Sequence, residues 1–166
     1  MEEEKGFLAD IPLEGGETLG VNVHAATAYM HLCNIRTYMS SKNASRVYHH
    51  FNEALKLSEE IKNSSAIANA LSALGGLGRV TGHFQQSVDY LTKSAELYAK
   101  ADNPWGVASN YIEMGNLYNE QSRYTTAVAY YMKADSIYKF LNSEYFRGTP
   151  LNNAGTIFYH QGNYDS

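Results

Sequence analysis

The sequence repeats itself with a period of 40 residues, and this repeat limits the possible folds more than any other feature. A shift by 40 brings Gly75 onto Gly115 and then onto Gly155, and it brings Tyr98 onto Tyr138. Further matches at the same offset join Leu71 with Tyr111 and Leu151, Phe84 with Tyr124 and Tyr164, Val88 with Val128, and Lys93 with Lys133. A fixed period of this length is typical of chains that stack one small structural unit many times.

Within each unit the apolar residues are spaced as on an α-helix. In the middle unit Tyr111, Met114 and Tyr118 follow each other at steps of three and four. A second apolar series begins after position 122, and it includes Tyr124 and Tyr131. The pattern predicts a helix, a tight turn and an antiparallel helix in each unit, followed by a short connection.

The recurring glycines take two structural positions. Gly82 and Gly162 stand where the first helix of a unit should end, and a residue with positive φ closes a helix there at little cost. Gly75, Gly115 and Gly155 lie inside the first helix, where glycine costs about 1 kcal/mol relative to alanine. The repetition of this cost predicts a close approach of a neighbouring helix at these three positions.

The unit resembles the tetratricopeptide repeat, in a long-period variant similar to arrays in bacterial sensor and regulator proteins and in scaffold proteins. The signature is clearest in "YIEMGNLYNEQSRYTTAVAYYMKA", through Tyr111, Met114, Gly115, Tyr118, Tyr124, Ala127, Tyr131 and Ala134. The second unit carries it at Leu71, Leu74, Gly75, Gly82, Phe84, Ser87, Leu91 and Ser94, and the fourth at Leu151, Ala154, Gly155, Phe158, Gly162 and Tyr164. The resemblance implies an all-α fold, an α-solenoid of antiparallel helix pairs stacked in a right-handed superhelix.

The repeat also divides the chain. We expect an irregular segment over 1–23, then units over 24–64, 65–104 and 105–144, and an incomplete unit over 145–166. In the first unit Ile35 and Lys42 replace the expected small residue and turn glycine, which indicates a capping pair.

Each unit is six residues longer than the common form of about 34 residues. We place the additional residues between units, in "DNPWGV" and "NSEYFR", and Pro150 in a first helical turn. Trp105 is expected to pack over the joint between units, whereas Tyr130 and Tyr145 do not fit the repeat and are candidate surface anchors.

The composition disfavours several classes of function. Apolar residues make up 44% of the chain and charged residues 18%, as in a folded soluble protein. The net charge of −4 and the lack of a basic run argue against direct nucleic-acid binding. Cys33 is the only cysteine, so neither an intrachain disulfide nor a paired-thiolate zinc site can form. Without an apolar run of about 18 residues or a signal-peptide core, we expect no membrane span and a cytoplasmic location for the chain as given.

The stretch "GGLGRVTG" at 75–82 raises the question of a nucleotide site. A Walker loop requires Gly-Lys-Ser or Gly-Lys-Thr, and neither triplet occurs; the spacing also departs from the dinucleotide fingerprint. The six histidines form no His-Glu-x-x-His pattern, and no serine or cysteine stands in a nucleophile elbow. We therefore expect no enzyme activity, no cofactor and no metal site.

The resemblance implies a binding groove lined by the first helix of each unit. Carried over position by position, the groove residues are Ser72, Arg79, Ser109, Ile112, Glu113, Asn116, Glu120, Asn152, Asn153, Thr156 and His160, with Gly76 and Thr149 beside them. These small and polar side chains would suit an extended peptide, and the alternative is that they form an ordinary solvated surface.

Family members that clamp a carboxylate combine asparagines with lysine or arginine in the groove. Asn116 and Asn153 match in type, but the lysines are absent and Glu113 is acidic, which favours a basic or neutral ligand. The expected function is a scaffold that binds a protein or peptide, and the alternative is the peptide-sensing domain of a bacterial signalling or transcriptional regulator.

The fourth unit reaches residue 166 without a second helix of its own. We expect its first helix to expose an apolar stripe of Leu151, Ala154 and Phe158. Each large side chain left bare costs roughly 1.5–3 kcal/mol, so the stripe predicts self-association, a swapped helix or a longer natural chain.

Overall fold

The computed structural model describes residues 44–162, which form six α-helices and no strand. The helices are α1 (Ala44–Glu60), α2 (Ser64–Val80), α3 (Phe84–Lys100), α4 (Pro104–Glu120), α5 (Tyr124–Phe140) and α6 (Glu144–His160). Each has 17 residues and is separated from the next by three residues. The 40-residue period therefore corresponds to two helices and two identical connections.

The helices pack in the order of the sequence. Each contacts the next one along the chain, and α2 also contacts α4 across a gap in sequence. Such stacking of antiparallel neighbours is an α-solenoid, and the predicted all-α fold class is confirmed. The right-handed sense of the superhelix stays a prediction. The segment 1–23 and the helix that the repeat predicts in the first part of the 24–64 unit, with Cys33, Ile35 and Lys42, lie outside the described residues.

Every helix ends in the same turn, with a residue in the left-handed conformation two positions after the last helical residue. The six residues are Lys62, Gly82, Asp102, Ser122, Asn142 and Gly162, with φ between 51° and 79°. After α2, the N–H of Gly82 donates to the carbonyl of Arg79 (3.2 Å) and that of His83 to Gly78 (2.7 Å). This pair of bonds is a Schellman motif. The predicted role of Gly82 and Gly162 is confirmed, although four other residues adopt the same conformation.

The last four residues of each of the two stretches "DNPWGV" and "NSEYFR" are helical, so placing the whole stretch in a connection was wrong. Pro104–Val107 form the first turn of α4, and residues 144–147 form the first turn of α6. Pro104 is tolerated because its missing N–H would lack a helical partner, and the side chain of Asn103 caps the N–H of Gly106 at 3.1 Å. Since α6 begins earlier than predicted, Pro150 lies in its interior and not in its first turn.

Two helical glycines allow close packing within a unit. A Cβ on Gly75 would stand 2.6 Å from Cγ of Leu91, and one on Gly115 would lie within 3 Å of the ring of Tyr131. Both predictions of close approach are confirmed. Around Gly155 nothing described lies within 4 Å of that position, so the third prediction is not borne out. At Gly75 and Gly115 the contact comes from the second helix of the same unit, 16 residues later.

The predicted apolar stripe on α6 is largely covered, because the first helix of a unit packs against the second helix of the preceding one. Ala154 is buried beside Ala127 and Tyr131 of α5, and Phe158 is half-buried against the same cluster. Only Leu151 of the three is exposed. The expected exposure of the stripe therefore holds only at Leu151, and self-association through this helix stays a prediction. None of the helices in residues 44–162 has the length and apolar character needed to span a membrane.

Candidate functional site

The residues predicted to line the groove lie on α2, α4 and α6, the first helices of successive units. The structure brings five of them into two polar clusters that join neighbouring units, and the others stand outside these clusters.

Arg79 forms the first cluster with two carboxylates of the next unit. Its Nε donates to Oε2 of Glu113 at 3.1 Å, and its Nη1 donates to Oε1 of Glu120. Glu113 and Glu120 are seven residues apart and so face the same side of α4. Burial lowers the pKa of Arg79, but the two carboxylates outweigh this effect and raise it above its ordinary value. With two carboxylates and one guanidinium, the cluster carries a net charge of −1.

Asn116 is the centre of the second cluster. Its Oδ1 accepts hydrogen bonds from the hydroxyl of Tyr131 (2.8 Å) and from Nδ2 of Asn153 (3.1 Å). Burial raises the pKa of Tyr131 to about 12, which keeps this hydroxyl protonated as a donor at neutral pH. The orientation of the Asn116 carboxamide is therefore held from two helices, α5 and α6.

The amide nitrogen of Asn116 has no hydrogen-bond partner among residues 44–162. In the same range no fully buried side-chain nitrogen or oxygen lacks a partner, so this nitrogen retains some contact with solvent. The carboxamide of Asn116, held through its oxygen, thus keeps N–H groups that are not used within the described residues.

Ser72 joins α2 to α4 through a residue that the sequence did not single out. Its hydroxyl donates to Oδ1 of Asn110 at 2.7 Å, and Nδ2 of Asn110 donates to the carbonyl of Leu91 at 3.4 Å. Asn110 is fully buried. The equivalent residues in the neighbouring units are Ala70 and Pro150, and both are buried. A polar residue at a repeat position that is otherwise apolar was therefore the sequence signal for the role of Asn110.

The remaining predicted residues are not brought together. Ile112 packs with its side chain against two apolar clusters, so it serves the core more than the groove. Ser109 is exposed on α4. On α6 the hydroxyl of Thr156 donates to the carbonyl of Asn152 at 2.8 Å, within one helix. The exposed ring of His160 lies beside a neighbouring tyrosine on α6.

Aromatic side chains cover the joint between the units 105–144 and 145–166, near the N-terminal ends of α4 and α6. Trp105 contacts the ring of Tyr138 (centroids 5.6 Å apart) and that of Phe146 (5.0 Å), which confirms its place over the joint. Tyr145 is 87% exposed, as expected for a surface anchor, whereas Tyr130 is half-buried and stacked on another ring. No group of three or more metal-ligating side chains occurs within residues 44–162.

These contacts define the described chain as an all-α helical-repeat solenoid whose units are linked by polar side chains. A solved structure with a similar fold is that of BtubC (BKLC) from P. vanneervenii, with a TM-score of 0.73 and 17% sequence identity. The alignment covers 97% of this chain and 64% of that chain, so this chain spans less than two thirds of its length. At this identity the likeness concerns the fold. Neither a protein-family model nor a curated protein matches the sequence.

Proposed function

We propose that the chain is a tetratricopeptide-like, non-catalytic module that binds an extended peptide of a partner protein on the face formed by α2, α4 and α6. The observation that carries the proposal is the carboxamide of Asn116. Tyr131 and Asn153 hold its oxygen, while its amide nitrogen has no partner among residues 44–162 and retains some contact with solvent.

A donor of this kind suits the backbone of a peptide. A bound extended segment offers carbonyl groups, and hydrogen bonds to them contribute affinity without depending on its sequence. Because the Asn116 carboxamide is already oriented, little side-chain entropy is lost on binding. Gly76, on the same side of α2, has nothing within 4 Å of its Cβ position and leaves room for a ligand there.

The charge of the face favours a neutral or basic peptide. The cluster of Arg79, Glu113 and Glu120 retains one uncompensated negative charge, and both carboxylates are partly exposed. A peptide carboxylate placed here would be repelled, whereas a lysine or arginine would be attracted.

A second candidate function is that of a regulatory peptide sensor. The observation that favours it is that the polar contacts of this face join successive units, Arg79 with α4 and Asn116 with Asn153 of α6. A peptide that competes for these side chains would alter the contacts between units, and hence the curvature of the array.

Peptides selected from a random displayed library on the immobilised full chain would test the proposal. We expect the selected peptides to be neutral or basic, and Asn116→Ala to weaken their binding about 3- to 10-fold in fluorescence polarisation. Glu120→Gln should weaken the basic peptides, and Glu96→Gln on α3 is the matched control. Equal affinity for the wild type and Asn116→Ala would contradict the proposal. A smaller radius of gyration with bound peptide would favour the sensor over the constitutive scaffold.

A further inference from the structure

A cavity of about 420 Å³ lies between α1, α2 and α3. Its walls include Leu74, Leu77 and Gly78 of α2, Tyr90 of α3 and Tyr48 of α1. The volume falls within the range that accommodates small ligands and single side chains, and apolar walls with a few polar groups are typical of such sites.

The cavity lies beside a position at which two repeat units differ. Gly78 has Tyr118 as its equivalent 40 residues later, while Tyr90 corresponds to Tyr130. In the later unit Tyr118 stacks on Tyr130, with the ring centroids 5.4 Å apart and the planes 12° from parallel. Where Tyr118 places a phenol ring, the earlier unit has no side chain, and the cavity lies between Gly78, Tyr90 and Tyr48, which is hydrogen-bonded to Tyr90.

The direction of the missing side chain agrees with this comparison. A Cβ on Gly78 would stand 3.2 Å from Cβ of Ser87, and Tyr118 packs against a cluster that contains Ala127, the equivalent of Ser87. A side chain at position 78 would thus leave the helix as that of Tyr118 does.

The residue at the end of the cavity can also be compared between the two units. The guanidinium of Arg123 lies 4.7 Å from the ring centroid of Tyr118, and His83, its equivalent, lines the cavity. Nδ1 of His83 is 2.9 Å from the hydroxyl of Thr81, which orients the imidazole. Together with Gln86, this histidine provides hydrogen-bonding groups for a polar atom at the end of a ring.

The cavity is separate from the groove proposed above. With about 100° per residue, Leu74, Gly78 and Thr81 lie on one side of α2, and Ser72 and Arg79 on the opposite side. Binding at one face therefore does not require the other.

We propose that this cavity binds the phenol ring of a tyrosine side chain on a partner protein, stacked on Tyr90 as Tyr118 is stacked on Tyr130. The ring fills the place that Gly78 leaves, and its hydroxyl reaches His83 and Gln86. In the next unit the ring of Tyr118 occupies the equivalent place, stacked on Tyr130, and so shows the arrangement proposed for the bound ring.

The first test uses p-cresol, which reproduces the tyrosine side chain, in an NMR titration of the full chain. We expect saturable shifts at the amides of Gly78 and Tyr90, and much weaker binding of cyclohexanol, which cannot stack. Tyr90→Ala should weaken p-cresol binding about tenfold, whereas the matched Tyr130→Ala should leave it unchanged. Absence of saturable binding, or equal binding of cyclohexanol, would overturn the proposal.

The second test exchanges the two units. Gly78→Tyr with Ser87→Ala copies the pair found at Tyr118 and Ala127, and it should abolish binding of p-cresol. Conversely, Tyr118→Gly should create a second site and raise the stoichiometry from one to two. Retained binding in the filled variant would refute the site, and this variant decides the matter even if Tyr118→Gly fails to fold.

Discussion

Arg147 of α6 binds Asp135 of α5, with its Nε 2.7 Å from Oδ1 of the carboxylate. Asp135 is buried, and Nη1 of Arg147 also contacts both oxygens of the exposed Glu144. The hydrogen bonds with Asp135 and Glu144 raise the pKa of Arg147 above its ordinary value, so the guanidinium stays charged. This pair connects the last described helix to the one before it.

Removing the guanidinium should destabilise the chain, because a buried carboxylate without a partner is costly. We expect Arg147→Met to lower the urea midpoint, and the double variant with Asp135→Asn to recover part of the loss. Glu144→Gln, at an exposed position, is the control and should have little effect. An unchanged midpoint in Arg147→Met would show that the pair contributes nothing to stability.

The two glycines at equivalent positions of α4 and α6 should respond with opposite signs to alanine. In Gly115→Ala the new methyl group meets the buried ring of Tyr131, and the free energy of unfolding should fall by about 1–3 kcal/mol. In Gly155→Ala it meets open space, and the better helix propensity of alanine should raise stability by about 0.5–1 kcal/mol. Denaturant unfolding measures both, and a stabilised Gly115→Ala would contradict the packing described.

The turns between helices offer a third prediction. Ser122 adopts φ of 59°, which is unfavourable for a side chain, so Ser122→Gly should stabilise the chain by about 0.5–1 kcal/mol. Gly82→Ala, at φ of 79°, should destabilise it by a similar amount, about 1 kcal/mol. Ser136→Gly inside α5 is the control and should be destabilising. Thermal unfolding measures the midpoint of each variant. A shift of the midpoint in the same direction for Ser122→Gly and Ser136→Gly would contradict the prediction.

Ionisation of the Tyr131 hydroxyl should lower the stability of the folded chain in alkali. Burial raises its pKa to about 12 in the folded chain, whereas an unfolded tyrosine ionises near pH 10. Its contribution is therefore fully present below about pH 10 and is lost as the pH rises through about 12. Tyr131→Phe should flatten the pH dependence of the urea midpoint in this window, and Tyr145→Phe, at an exposed position, should not. If the urea midpoint depended on pH equally in the wild type, Tyr131→Phe and Tyr145→Phe, Tyr131 would not be the group responsible.

The candidate site was predicted only in part. Arg79, Glu113 and Asn116 lie on the first helices, as the resemblance implied, whereas the side chain of Ile112 packs against the core. The partners Asn110 and Tyr131 were missed as parts of this network, because both stand at positions where the repeat requires burial. Their polar atoms matter only once the neighbouring helix is in place.

By itself, the sequence determined the helix pairs and the glycine turns at Gly82 and Gly162, because apolar spacing and backbone conformation are local properties that each unit repeats. The tertiary structure alone decided that Arg79 meets Glu113 of the next unit and that the space beside Tyr90 is empty. Such contacts depend on how far one unit is rotated against the next and on which side chain fills the gap between them. That is the result of packing several helices at once, and no single repeat encodes it.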